Sequence, residues 1–234
     1  MTRFSVIIPS LNEEESIGRC IDAVRGINST VEIIVADGGS ADRTLEIAQS
    51  RGVIVCHSSM GRGPQMNSGA ALATGEILLF LHADTFLPAG AFDCLSAIFR
   101  NSQAKIGIFG LTFDTKHWLL GLGLLEKLSV VGPRWLRFGD STITIRRDFF
   151  QSLGGFPDQP LFEDIELLRR AARAVRIYRI PMKVTTSARR FVENGVVRQL
   201  ARNIYYTLEY FTGTPAELIS SNDPIIKEFI KRTE

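Results

Sequence analysis

Residues 76–85 read EILLFLHADT, an apolar run that ends by presenting a histidine and a carboxylate two positions apart, His82 and Asp84. Three chemistries are open to such a pair: divalent-metal ligation, general-base catalysis, or ordinary turn polarity. A carboxylate suits Mg2+ or Mn2+, which take one or two protein carboxylates and fill their shell with substrate phosphates. Imidazole is more acceptable to Mn2+ than to Mg2+. Alternation along an extended backbone puts residues i and i+2 on one side, so both groups can face one ligand.

Other stretches share this form, a polar group placed directly after an apolar strand. Pro9 to Glu14 follow FSVII, Asp37 to Ser40 follow VEIIVA, and Gly61 to Gly63 follow VIVCHSS. Asp37 can accept hydrogen bonds from a base or ribose, and Gly38 and Gly39 let a ligand approach closely. Arg62 offers a guanidinium to a phosphate or a base edge. A second acidic site, Glu163 and Asp164, opens the apolar-periodic segment EDIELLRRAARA. Acids there meet the helix dipole favourably, and either could also take a proton from a hydroxyl nucleophile. Between Arg169 and Arg202 lie ten basic residues and one acid, Glu193. That run reads as a solvated face, as a diphosphate clamp centred on Arg189 and Arg190 in SARRF, or as a contact for anionic lipid.

The elements that must carry these groups alternate. Strand patterns at 4–9, 31–40, 53–59 and 76–84 are separated by helical ones, and Gly52 ends the second helix. Continuous apolar strands between amphipathic helices predict a mostly parallel sheet covered on both faces, and ligands in such sheets bind beyond the carboxyl ends of the strands. GRGPQMN reads as a loop running into a helix. Later segments predict a helix at 90–101, a strand at 105–114, a strand, short helix and turn in STITIRRDFFQSLGGFPD, and helices at 163–174 and 196–211. Residues 115–138 are rich in aromatic residues and glycine and give no clean assignment. One domain is expected over 1–234, with a nucleotide-binding half at 1–100, an acceptor and catalytic half at 101–215 and a tail at 216–234.

Composition bounds the partners. With 234 residues, 45% hydrophobic and 22% charged, the chain is globular in type. A net charge of +2 gives no general case for nucleic acid. Cys20, Cys56 and Cys94 lack C-x-x-C spacing, which fits a reducing cytoplasm. Neither a secretory leader nor a run of about 18 uninterrupted apolar residues is expected. No G-x-x-x-x-G-K-[ST] or strand-following G-x-G-x-x-G motif occurs.

Taken in order, FSVIIPSLNEEESI, IIVADGGSADRT, GRGPQMNSGAALATGEILLFLHADT and FEDIELLRRA resemble the motifs of family 2 glycosyltransferases. HADT and TSARRF are similar to the variants of a small bacterial subgroup. The resemblance covers roughly residues 4 to 190 and implies the α/β GT-A fold, Rossmann-like, and transfer of a hexosyl-type sugar from a nucleoside-diphosphate donor. It also implies roles by position. Pro9, Asn12 and Glu13 or Glu14 border the nucleotide. Asp37 meets the base, with Ser40 close by, and Arg62 and Gly63 flank the nucleobase. Asp84 binds a divalent cation, Mg2+ or Mn2+, and the diphosphate, and Asp164 is the base of an inverting reaction, next to Glu163. His82 stands where the family usually has aspartate.

Two rival readings are weighed beside this one. Nucleotidyl transfer calls for a glycine-rich loop with arginine and lysine after the first strand, where this chain has SLNEEES. A non-catalytic nucleotide-binding module would be expected to lose some of Asp37, Asp84 and Asp164. The acceptor is open, an apolar or lipid-linked hydroxyl being one expectation from Trp118, Leu119, Leu120, Leu122, Leu124, Leu125 and Trp135, with peripheral contact at the inner face of a membrane another.

Overall fold

β1 (Phe4–Ser10) is buried at every position, and β2 (Glu32–Asp37) at all but its first. Such strands must lie inside a sheet with both faces covered, because period-two alternation sends their side chains to opposite sides. The structure, a computed structural model, describes residues 2–101, 103–115, 142–216 and 218–219. The unassigned aromatic stretch lies outside the described residues apart from Thr115, as does most of the expected 216–234 tail.

Between β1 and β2 runs α1 (Ile17–Ile27), followed by α2 (Thr44–Ser50), β3 (Ile54–His57), α3 (Arg62–Leu72) and β4 (Ile77–Phe80). A two-residue β5 (Thr85–Phe86) precedes α4 (Ala91–Asn101), β6 (Ile106–Phe113), β7 (Ile143–Arg146) and α5 (Arg147–Ser152). Then come α6 (Glu163–Ala174), β8 (Tyr178–Thr186), α7 (Arg189–Asn194) and α8 (Val196–Phe211). The eight described strands join one sheet in the order β3-β2-β1-β4-β7-β6-β8-β5. Pairings among β1 to β4 and between β6 and β8 are parallel, while β7 and β5 pair antiparallel with their neighbours.

Alternate residues of each central strand feed two separate cores. Val6, Ile8, Val35 and Leu79 pack with α1 and α4 through Ile17, Ile21, Phe92 and Leu95. Ile7, Ile34, Leu78 and Phe80 pack with α3, α5 and α6 through Met66, Phe150, Leu167 and Leu168. Fully burying each such side chain stabilises the fold by about 1.5–3 kcal/mol. The second core matters most for function, because it ties the helix after β3 to the helix that begins with Glu163.

Two expectations are corrected, and two elements were not foreseen. GRGPQMN is the first two turns of α3 rather than a loop, since the ring of Pro64 is tolerated in a first turn whose N–H groups lack partners. β4 stops at Phe80, and Thr85 N donates to His82 O at 3.0 Å, so HADT is a turn and extended-strand alternation does not govern it. β8 and α7 were not anticipated. β8 carries charged residues and Pro181, and the proline falls where the β6–β8 register jumps from Ile108↔Arg179 to Gly110↔Lys183, an irregularity that needs no N–H there.

Candidate active site

The sheet parts between β1 and β4. Their pairing ends at Ile7↔Phe80, although Leu81 N still donates to Ile7 O at 3.0 Å. Backbone groups at i and i+2 of a strand point the same way, so Pro9, which has no N–H, faces the gap that opens there. In a doubly wound sheet this is the switch point, reached from β2 on one side and β4 on the other.

On the β2 side, two loops are laced together. Asn12 N donates to Ser40 Oγ at 2.9 Å, and Ala41 N to Asn12 Oδ1 at 2.8 Å. Glu13 N donates to Thr44 Oγ1 at 2.8 Å, and Glu14 N to Asp42 Oδ2 at 3.0 Å. Asn12 takes a left-handed φ of 53°, which asparagine tolerates better than most residues. Asp37 is fully buried and folds its own loop: Oδ2 accepts from Gly39 N and Ser40 N at 2.9 Å, and Oδ1 from the Ser40 hydroxyl at 2.5 Å. Gln65 on α3 reaches under this corner, where its amide donates to Ser10 O at 2.6 Å and Ala36 O at 3.0 Å.

On the β4 side, β5 pairs with the end of β8, Thr85 opposite Thr186. Their hydroxyls lie 2.9 Å apart, and Ser187 N donates to Asp84 O at 3.1 Å. The sheet therefore sets HADT beside the segment that leads into Arg189. Arg189 in turn reaches back to the first loop, with Nη2 3.3 Å from Glu13 Oε2 and Nη1 3.0 Å from Glu15 Oε2. Partial burial opposes its charge, but Glu13 and Glu15 outweigh that and hold the guanidinium above its already high range. The backbone of Arg190 lies in the same short helix.

Asp84 is half-buried, and among the described residues its Oδ1 accepts long bonds, from Thr85 Oγ1 at 3.3 Å and Thr186 Oγ1 at 3.4 Å. Among the described residues no group of three or more His, Cys, Asp or Glu could by itself hold a metal ion. One lightly engaged carboxylate with an imidazole two residues away fits a Mg2+ or Mn2+ ion whose remaining ligands come from a diphosphate and water. It does not fit a closed structural metal site.

Glu163 and Asp164 are both buried at the start of α6. A cleft lined by Pro9, Met66, Phe80, Leu81, His82, Ile143, Phe156, Glu163 and Asp164 joins them to the parted strands. Asp164 Oδ1 accepts from Ile165 N at 2.6 Å. Three features outside the acids fix their place. A Cβ on Gly63 would stand 2.4 Å from Pro157 O and 3.6 Å from Glu163 Cβ, so only glycine lets α3 approach this closely. Asn67 closes an amide pair with Phe156, donating to its O and accepting from its N, both at 2.9 Å. Phe162, the residue before Glu163, sits at φ 63° and ψ 23°, a left-handed conformation that costs a non-glycine residue about 1–3 kcal/mol.

The structure thus gathers Pro9, His82, Glu163 and Asp164 around one cleft, with Gly63 packed against it. It gathers Asn12, Glu13, Glu14, Asp37 and Ser40 in the laced loops, and Asp84 and Arg189 at the β5–β8 edge. Arg62 is half-buried on the first turn of α3. Gln65, Asn67 and Phe162 went unmarked in the sequence. Gln65 had a usable signal, since it lies four residues before Gly69 on the face of α3 that meets the sheet, where a buried amide must be satisfied. Phe162 had none, because left-handed backbone is not written in phenylalanine.

This is the GT-A fold, a mixed α/β architecture with a curled, mostly parallel sheet. Residues 5–108 match the family model of glycosyl transferase family 2. The chain is 40% identical over 92 residues to a PGL/p-HBAD biosynthesis glycosyltransferase of Mycobacterium bovis, with 36% of each chain aligned. It therefore spans little more than a third of that curated relative. S. aureus TarS 1-349, solved with UDP-GlcNAc, superposes with a TM-score of 0.66 at 19% identity over 79% of this chain and 58% of that one. Glucosyl-3-phosphoglycerate synthase from Mycobacterium tuberculosis, solved with Mn2+, UDP and phosphoglyceric acid, gives 0.64 at 22% identity over 92% and 80%. At these identities the superpositions establish the fold. Among the described residues no helix is long and apolar enough to cross a membrane.

Proposed function

We propose that this protein transfers a sugar from a nucleoside-diphosphate sugar to an acceptor hydroxyl with inversion at the anomeric carbon. The observation that carries the reading is the cleft in which Pro9 and His82, from the strands that part, meet Glu163 and Asp164 at the head of α6. Residues 1–100 hold the nucleotide in this scheme, and 101–215 supply the catalytic acids and the acceptor side. Asp37, through the loop it folds, and Asn12, Ser40 and Arg62 shape the nucleotide pocket. HADT and SARRF fit the subgroup of the family in which histidine replaces the first aspartate of the metal element.

Asp164 takes the proton of the acceptor hydroxyl, and the freed oxygen forms its bond to the anomeric carbon on the face opposite the departing diphosphate. Glu163, buried beside it, lines the same cleft. Arg189, with Arg190 next to it in sequence, would neutralise charge on the leaving group. A divalent cation held by Asp84, with His82 beside it, would supply further charge neutralisation for the diphosphate. The solved relatives named with UDP or UDP-GlcNAc support a uridine nucleotide as the first donor to try. A half-exposed to exposed apolar and basic surface on α8 supports an apolar or lipid-linked acceptor.

The test is a turnover screen across UDP- and GDP-sugars with Mg2+ and with Mn2+. Donor consumption by the wild-type protein on at least one sugar is expected, and a flat result on every donor with either ion overturns the reading.

A further inference from the structure

We infer that Tyr210, near the end of α8, is a positioning residue for Asp164 and acts through Phe162. The inference rests on the transfer reading above, and it concerns how the base is held rather than what it does.

Phe162 is the hinge of the argument. Its carbonyl accepts from Glu166 N at 3.1 Å and so opens the hydrogen-bond ladder of α6. The direction in which Phe162 points its carbonyl therefore sets where the first turn of α6 begins, and with it where Glu163 and Asp164 stand. Yet Phe162 is left-handed, at φ 63°, and its neighbours Leu161 and Glu163 give that conformation no local reason. Something outside the segment must hold it, because such residues persist only where the surroundings over-determine them.

The ring of Tyr210 meets that need. Its centroid lies 4.6 Å from that of Phe162, with the planes tilted by 32°, within the range over which two aromatic rings attract. Tyr210 follows the inward face of α8, where Val196, Gln199 and Thr207 are buried at helical spacing. Local side-chain bonds stiffen the start of that face: Asn194 and Arg202 donate to Gln199 Oε1 at 3.0 and 2.7 Å, and Gln199 donates to Asn203 Oδ1 at 2.8 Å. Those bonds stiffen the helix that carries Tyr210 to the strained turn. The outward face carries Val197, Ile204, Tyr205 and Leu208, all exposed, so Tyr210 is on the side of the helix that faces the protein.

The test compares Tyr210→Ala, Tyr210→Leu and Tyr210→Phe by two readouts. Hydrogen exchange at the Glu166 amide reports the first turn of α6 directly and needs no substrate. Tyr210→Ala and Tyr210→Leu are expected to speed that exchange about 10-fold, and Tyr210→Phe to leave it unchanged. On the donor selected by the screen, the same two variants are expected to lower kcat by about 10- to 100-fold, the scale of a misplaced catalytic group. KM for the donor and calorimetric affinity for UDP should stay within about twofold, and Tyr210→Phe should restore kcat. Tyr210→Leu keeps apolar volume without an aromatic face, so it carries the test if the alanine variant does not fold. Wild-type kcat in the leucine variant, or equal losses in the leucine and phenylalanine variants, overturns the inference while the transfer reading stands. Absence of wild-type turnover on every donor overturns the transfer reading and the catalytic part of the inference. A faster Glu166 amide in that case still establishes the Phe162–Tyr210 coupling.

Discussion

The two sides of the cleft are held in different ways. On the side proposed for the nucleotide, between β1 and α2, position comes from hydrogen bonds among neighbouring loops: Asn12 to Ser40 and Ala41, Glu13 to Thr44, Glu14 to Asp42, and Asp37 to its own turn. On the side proposed for catalysis, position comes from close packing and strain: glycine against carbonyl at Gly63, one amide pair at Asn67, and a left-handed Phe162. Many short polar ties share a load, so losing one leaves the others. A few tight contacts around a strained residue do not share it. The catalytic acids should therefore be the part of the site most easily displaced from a distance.

The largest expected effect is chemical. Asp164→Asn keeps the shape of the side chain and its place in the cleft, and it removes the proposed base. Turnover should fall by about 10²–10⁴-fold, while calorimetric UDP affinity stays near wild type because the laced loops are untouched. Near-normal turnover in this variant would sink the assignment of Asp164 as base.

Packing comes next. Gly63→Ala places a methyl 2.4 Å from the Pro157 carbonyl, a backbone atom that can yield only by moving the loop that leads to α6. Overpacking of this kind costs about 1–3 kcal/mol. Gly38→Ala, on the nucleotide side, meets the Gln65 side-chain nitrogen at 2.9 Å instead. A side-chain tip gives way more readily than backbone, so Gly38→Ala should lower stability less. Denaturant unfolding of both variants measures the contrast, and equal losses would mean that the two sides are equally yielding. Asn67→Ala should fall between them, because it leaves the N–H and carbonyl of buried Phe156 without their partner at about 1–3 kcal/mol.

The same contrast explains what the sequence made legible. The nucleotide side is built by contacts near in sequence or between adjacent parallel strands, so its apolar runs and polar tips announced β1, β2, α1 and the residues at their ends. Helices α6 and α8 were also plain, since each has one buried stripe at a 3.6-residue period. β8 was hidden by its alternation of exposed charges with Pro181, which reads as an interrupted loop until β6 and β5 are seen on either side. The acids Glu163 and Asp164 could be picked out as a pair, but what fixes them could not. Asn67 is 89 residues from the Phe156 that it clasps, and Phe162 leans on a helix that begins more than thirty positions later. Contacts of that range leave no local pattern of residues.

The smallest effect tests the polar side of the comparison alone. Desolvation pushes the Asp42 carboxyl upward, but hydrogen bonds from the Thr44 hydroxyl and amide and the Glu14 amide outweigh it and hold the group below the usual carboxylate range. A depressed folded value means that the ionised form is the one the fold favours. The stability it contributes is fully present above the unfolded value of about 3.9 and is lost as pH falls through the lower, folded value. Asp42→Asn should therefore be less stable than wild type near neutrality, by a small margin because the group is largely solvated. The gap should close as the pH drops below about 3.9, and denaturant midpoints taken across that range read it out. A gap that stays constant would show that the Glu14–Asp42 tie works by shape alone, and that the laced loops owe nothing to charge.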